Sequence, residues 1–208
     1  MKFPEDLIGE IKGFLDYNEA KHLYDIALAA SAMGPCLEIG SYCGKSAVCL
    51  GAACHSNGSI LFSIDHHMGS EEQQPGEEYF DPELYDPRAG RINTIPFLLS
   101  AIRKAGLERT VVPIVSDSAT VAKSWATPLA LVFIDGSHSP EAASTDYRCW
   151  ARHIMPGGFL LIHDIFENPE EGGQAPYEVY RTALESGIFE PHSRVKTLGV
   201  LRRNTAAG

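Results

Sequence analysis

Five short, almost unbroken apolar runs recur along the chain: PCLEIG (35–40), ILFSID (60–65), VVPIVS (111–116), LALVFID (129–135) and FLLIHD (159–164). Each is of strand length and is parted from the next by a stretch with helical patterning. Runs without polar alternation suit strands covered on both faces, because right-handed crossovers carry helices to both sides of a parallel sheet. The tail breaks the rhythm. FEPHSRV and TLGVLRR are parted only by Lys196, too little chain for a crossover, so an antiparallel pair at the sheet edge is expected. The fold class is therefore α/β, a doubly wound and mostly parallel sheet.

The 208 residues suit one domain, 1–208, against a prior of ~150 residues per domain. Residues 1–34 form a helical cap in which Asn18 opens a helix through EAKHLYDIALAASAMG, with Ala20, Leu23, Ile26, Ala27 and Ala30 on its packing face. Further helical patterns run from Ile92 to Gly106, around Ala119 to Trp125, from Pro140 to His153 and from Ala175 to Glu185. Pro113 predicts a bulge or incomplete pairing in the third strand, and Pro156-Gly157-Gly158 is read as the turn that launches the fifth. Residues 67–91 are polar, rich in Glu, Gly and Pro, and exceed the ~12 to 15 residues of an ordinary loop. They leave the C-terminal end of the second strand, where open parallel sheets bind ligands, so a lid or substrate wall is expected, with Tyr79, Phe80, Tyr85 and Trp125 as candidate pocket aromatics.

A net charge of −10 repels phosphate backbones and anionic lipid, which argues against nucleic acid and membrane surfaces as partners. No apolar run approaches the ~20 residues of a membrane span, and the opening MKFPEDLIGEIK lacks the apolar core of a secretion signal, so a cytoplasmic location is expected. Five cysteines without a C-x-x-C pair read as reduced packing residues. Oligomeric state is not readable, and a homo-oligomer stays open.

In a doubly wound sheet the strand C-termini face the ligand crevice. Here they carry Glu38 and Gly40, Asp65 and His66, Asp117 and Ser118, Asp135 with His138 just beyond, and His163 with Asp164, so every strand end supplies a carboxylate. The first turn, Gly40 to Gly44, exposes amides at a helix N-terminus, which suits an anion or a carboxylate. A phosphate-binding P-loop needs four residues between its glycines, and GSYCGKS has three, so Lys45-Ser46 is a false echo of that motif. A dinucleotide turn needs a second glycine where Tyr42 stands. What remains is a nucleoside without phosphates.

At this point the chain resembles the class I S-adenosylmethionine-dependent methyltransferases, through LEIGSYCGKS, the acid after the second strand, FIDGSHSPEAASTDYRCW and PGGFLLIHDI, in that order. The resemblance spans roughly Pro35 to Arg203 and implies a Rossmann-like, seven-stranded sheet whose last strand is antiparallel. It also implies the site. Glu38 and the loop Gly40, Ser41, Tyr42, Gly44, Lys45 and Ser46 would take the amino-acid end of S-adenosyl-L-methionine, Asp65 the ribose hydroxyls, and His66, Asp117, Ser118 and Ala119 the adenine. Asp135 would face the sulfonium and the amino group.

The function expected is methyl transfer to a small-molecule acceptor, with oxygen as the acceptor atom. His138 is the candidate base, because an imidazole titrates near operating pH, and Asp135 is the second catalytic candidate. Asp135, His163 and Asp164 match in position the ligands with which some relatives hold a divalent cation, Mg²⁺ or Mn²⁺, although an imidazole suits Mn²⁺ better. His67 with Glu71 or Glu72 would be auxiliary ligands. Two alternatives stand beside this reading: an NAD-dependent oxidoreductase of Rossmann type, and a non-catalytic S-adenosylmethionine-binding module.

Overall fold

A computed structural model describes residues 1–136 and 139–205. Seven strands form one sheet: β1 (Cys36–Ile39), β2 (Leu61–Asp65), β3 (Val111–Val115), β4 (Leu129–Ile134), β5 (Ile154–Ile162), β6 (Phe189–Val195) and β7 (Leu198–Arg203). Their spatial order is β3-β2-β1-β4-β5-β7-β6, with β7 antiparallel to both of its neighbours and the first five strands mutually parallel. The expected α/β architecture and its antiparallel edge are therefore present. The order reverses between β1 and β4, and a crevice opens outside the strand ends at such a reversal.

The helices are α1 (Glu5–Glu10), α2 (Tyr17–Ser31), α3 (Lys45–Ser56), α4 (Ile95–Lys104), α5 (Ser118–Ala122), α6 (Pro140–Trp150) and α7 (Ala175–Glu185). Alternate residues of each strand feed opposite layers, as pleating requires. Leu131 and Phe133 of β4 join Leu23, Ala27, Leu50 and Leu98 of α2, α3 and α4, while Val132 and Ile134 join Trp150 of α6 and Val179 of α7. No helix among the described residues is long and apolar enough to cross a membrane.

Several local expectations are corrected. Asp16, not Asn18, caps α2: its side chain accepts the Asn18 N–H, and Glu19 returns a bond to the Asp16 N–H in a capping box. Pro113 makes no bulge. It sits in continuous register opposite Ser63 on an outermost strand, where proline's missing N–H is tolerated. Pro156-Gly157-Gly158 lies inside β5 rather than before it, at a register shift against β4. A Cβ on Gly158 would come within 2.8 Å of the Ala130 carbonyl oxygen, so only glycine allows the strands to close there.

Residues 67–91 are ordered by their own short elements: single 3-10 turns at Glu71–Gln73 and Pro82–Leu84, then a two-residue ribbon pairing Tyr85–Asp86 with Arg91–Ile92. Leu84 and Ile92 are buried beneath it together with Ile11 and Val48.

Candidate active site

The turn after β1 is wound tightly enough to bring backbone to the crevice. Gly40 has φ 89°, and a Cβ there would lie 2.0 Å from the Asp135 carbonyl oxygen, so the β1 and β4 ends approach only because that side chain is absent. Tyr42 holds φ 47°, a left-handed conformation that costs a non-glycine residue ~1 kcal/mol or more. What holds it is Asp65 at the end of β2, whose Oδ2 accepts the Tyr42 N–H at 2.8 Å while Oδ1 accepts the His67 N–H at 2.7 Å. One carboxylate thus ties the first two loops of the crevice together.

The strand ends open into a cavity of about 660 Å³, within the range of small-molecule sites. Gly40, Ser41, Tyr42, Lys45 and Ser46 line it at one end, and Asp65 with His66 lines its middle. Asp117, Ser118 and Ala119 line the far end, and Asp135, His163 and Asp164 the floor. Two of the expected residues are elsewhere. Glu38 lies fully buried beneath the cavity wall, and Gly44 faces α4, where a Cβ would meet Leu98 Cδ1 at 2.9 Å. The Lys45 ammonium donates to the Gly13 carbonyl at 2.9 Å, so it fastens the chain before α2. His138 lies outside the described residues.

Electrostatics differ along the cavity. Glu38 Oε1 accepts from the Ser63 hydroxyl at 2.6 Å, while Oε2 is buried without a hydrogen-bond partner among the described residues. Burial, reinforced by the charges of Asp135 and Asp65, pushes its carboxyl up to about 8. The Ser41 hydroxyl is likewise buried without a partner among the described residues. A ligand with an ammonium and a carboxylate at this end would meet a carboxyl ready to ionise and a turn of exposed amides, so the residues present fit an amino-acid group. At the opposite end Asp117 caps α5 by accepting the Thr120 N–H at 2.8 Å, and those bonds to Thr120 hold its carboxyl below the usual range. Ser118 donates its hydroxyl to Asp146 of α6, whose carboxyl burial raises to about 6.

His163 is the hub of the floor. Its Nδ1 lies 3.0 Å from Asp135 Oδ1 and 3.4 Å from Asp164 Oδ2, and its Nε2 lies 3.2 Å from Glu19 Oε2 of α2. Burial alone would favour the neutral ring, but the Asp135 charge and the bonds to Asp135, Asp164 and Glu19 hold it well above the usual imidazole range. Glu19 Oε1 in turn accepts from both the N–H and the hydroxyl of Thr197 in the β6–β7 turn. Asp135, His163 and Asp164 offer ligand atoms within 4.8 Å of one another, a set that fits a divalent cation if Nδ1 gives up its proton; Nε2–H would then be oriented by Glu19. His67 does not join this group, since it is buried with Nδ1 on the Thr94 hydroxyl at 2.7 Å.

Of the four candidate aromatics, only Tyr79 lines the cavity. Phe80 and Tyr85 pack on each other under the loop, and Trp125 packs between Phe62 and Trp150. Sequence reasoning missed the segment before α2, where Lys12, Gly13, Phe14 and Leu15 line the cavity mouth, and it missed Glu19 and Asp146. Both acids carried a signal: Asp146 interrupts the apolar stripe Ala143, Tyr147, Trp150, and Glu19 heads the stripe that continues at Leu23 and Ile26.

A family model described as a methyltransferase domain matches residues 37–165, more than half of the chain. Among solved structures, the O-methyltransferase TomG from Streptomyces achromogenes, in complex with S-adenosylmethionine, is 16% identical with a TM-score of 0.63 over 93% of this chain and 82% of that one. An O-methyltransferase from Bacillus cereus, in complex with S-adenosylhomocysteine, is 13% identical with a TM-score of 0.64 over 94% and 85%. A protein from Corynebacterium glutamicum is 14% identical with a TM-score of 0.66 over 98% and 92%. At such identities the structural likeness speaks for the fold, and it is the family match over the strands that build the crevice that decides kinship. The chain belongs to the methyltransferase-domain family, with the fold of the class I S-adenosylmethionine-dependent enzymes.

Proposed function

We propose that the enzyme methylates a hydroxyl oxygen of a small molecule. The observation that carries this reading is the continuity of the cavity: one space of about 660 Å³ runs from the Asp117–Ala119 end, past Asp65 and the β1 turn, to the Asp135–Asp164 floor, with Phe14 and Tyr79 also on its lining. Asp65 takes the ribose hydroxyls, for which its oxygens keep acceptor capacity beside the two amide bonds, and Ser118 and Ala119 take the adenine edge. Glu38 answers the ammonium of the amino-acid end from beneath the wall. Asp135 faces the sulfonium, where its charge favours a cationic ligand over the neutral thioether product.

When bound, S-adenosylmethionine supplies a methyl group on sulfur, and the carbon–sulfur bond breaks with its electron pair left on sulfur as the carbon–oxygen bond forms. The chain's own work is alignment and proton removal, and positioning of this kind supplies up to ~7 to 11 kcal/mol of barrier lowering. Asp135 is the proton acceptor among the described residues. His163 orients it through the 3.0 Å contact, and His138, outside the described residues, stays the first candidate base on sequence grounds.

A second reading adds a divalent cation such as Mn²⁺ on Asp135, Asp164 and His163 Nδ1, favoured by the convergence of those three ligand atoms. Its chemistry would be to lower the acceptor hydroxyl's pKa. Turnover that survives exhaustive chelation and is indifferent to Mn²⁺ would remove it.

The direct test is methyl transfer from radiolabelled S-adenosylmethionine to a panel of small hydroxylated acceptors, with thermal shifts in S-adenosylhomocysteine and in NAD alongside. Labelled ether product and a shift with S-adenosylhomocysteine alone are expected. A shift with NAD would support the oxidoreductase, and cofactor binding with no turnover on any acceptor would support a binding module.

A further inference from the structure

Resting on that reading, we infer that the acceptor is an aromatic alcohol without negative charge, its ring seated against Phe14, Tyr42 and Tyr79. These three rings come from three separate segments, the stretch before α2, the β1 turn and the 67–91 loop, and all three line the cavity. Phe14 lies 5.8 Å from Tyr42 and 5.5 Å from Tyr79, centroid to centroid, the second pair edge to face at 82°. Phe14 is nevertheless 63% exposed and Tyr79 45%, and Phe14 belongs to none of the buried apolar clusters. A phenylalanine left so open contributes little to folding, yet its flanks are pinned. On one side Lys12 pairs with Asp81 at 2.5 Å and with Glu83 at 2.7 Å; on the other, Lys45 holds the Gly13 carbonyl and Leu15 is buried. The chain therefore presents an apolar ring to the mouth and fixes it there. A flat ring against it would bury apolar surface worth ~25 cal/mol per Å² and gain the edge-to-face preference of aromatic pairs.

Charge decides which aromatic molecules fit. The basic groups among the described lining residues are engaged: Lys12 with two carboxylates, Lys45 with a carbonyl, His66 beside Asp65 at 3.9 Å, and His163 among Asp135, Asp164 and Glu19. Carboxylates of Asp65, Asp135, Glu141 and Glu171 also line the space. An anionic acceptor would enter against this field, whereas a cation would be favoured by it and by the aromatic faces.

The test uses the full chain saturated with S-adenosylhomocysteine and four probes of similar size, titrated by calorimetry: 4-ethylphenol, tyramine, 3-(4-hydroxyphenyl)propionate and 4-ethylcyclohexanol. The two phenols without negative charge should bind at least tenfold tighter than both the carboxylate and the saturated alcohol. Phe14→Ala should weaken the phenols at least tenfold, and Phe14→Tyr should restore them. Affinity for S-adenosylhomocysteine should stay within twofold in both variants. Equal binding of 4-ethylcyclohexanol, preference for the propionate, binding of none of the four, or indifference to Phe14→Ala would overturn the inference. Failure of S-adenosylhomocysteine itself to bind the parent would instead strike the functional reading on which it rests.

Discussion

The floor of the crevice and its cover are built from different materials. The floor is strand ends, fixed by the β1–β2 and β1–β4 ladders and by the half-buried carboxylate of Asp65, which ties two loops together with amide bonds of 2.8 and 2.7 Å. The cover is two irregular segments, residues 11–15 and 67–91, joined across the mouth by the partly exposed Lys12–Asp81 and Lys12–Glu83 pairs and by rings in edge contact. Bonds buried among ladders persist through local fluctuations, and exposed ion pairs contribute ~0 to 1 kcal/mol and weaken with salt. On the proposed function, the floor would hold a constant cofactor and the cover would admit and select an acceptor.

The largest effect is expected on the floor. Asp65→Ala removes two hydroxyl bonds to a charged acceptor, each worth about 1.5 to 3 kcal/mol, so affinity for S-adenosylhomocysteine should fall a hundredfold or more by calorimetry. Unchanged affinity would break the assignment of the floor.

Glu38 comes next. Its carboxyl is raised to about 8 in the folded chain against an ordinary value of 4.5, so the folded state keeps a proton that the unfolded chain releases. The sign follows: this group costs nothing below pH 4.5, and stability falls as pH rises from there towards 8 and levels beyond. At pH 7 the loss is about 3 kcal/mol. Glu38→Gln should flatten that part of the profile in pH-dependent denaturant melts, and it should abolish a proton released on cofactor binding at pH 7, read by calorimetry in buffers of different ionisation enthalpy. A parent that releases no proton would contradict the role of Glu38.

Smaller effects belong to the cover. Lys12→Ala should lower stability by ~1 kcal/mol or less and raise the acceptor KM several-fold while cofactor affinity holds. The parent's acceptor KM should also climb with added salt, whereas its S-adenosylhomocysteine affinity moves little. If both constants shifted together, floor and cover would not be separable parts.

The same contrast explains what could be read in advance. The strands and the row of acids at their ends follow from local pattern: an apolar run, a turn residue and a carboxylate are neighbours in sequence as they are in space, as at Ile64 and Asp65 or Ile134 and Asp135. Glu38 was legible as a strand-end acid, but its position beneath the cavity wall rather than on the lining depends on the pleat of β1 against β2 and β4. The cover was hidden because its contacts are long-range. Nothing in the string around Lys12 or Phe14 announces Asp81 or Tyr79, which lie more than sixty residues away. His163 shows the limit most clearly. The HD pair was visible, yet its third carboxylate comes from Glu19, 144 residues earlier, and only the packed helix α2 brings it there.

The measurement that bears most directly on the account is calorimetric titration of the chain with S-adenosylhomocysteine, for the parent and for Asp65→Ala. The account predicts saturable one-to-one binding by the parent and at least a hundredfold weaker binding by the variant, with the variant's far-ultraviolet circular dichroism unaltered. Equal affinity in the two folded proteins, or no binding by the parent, would contradict it.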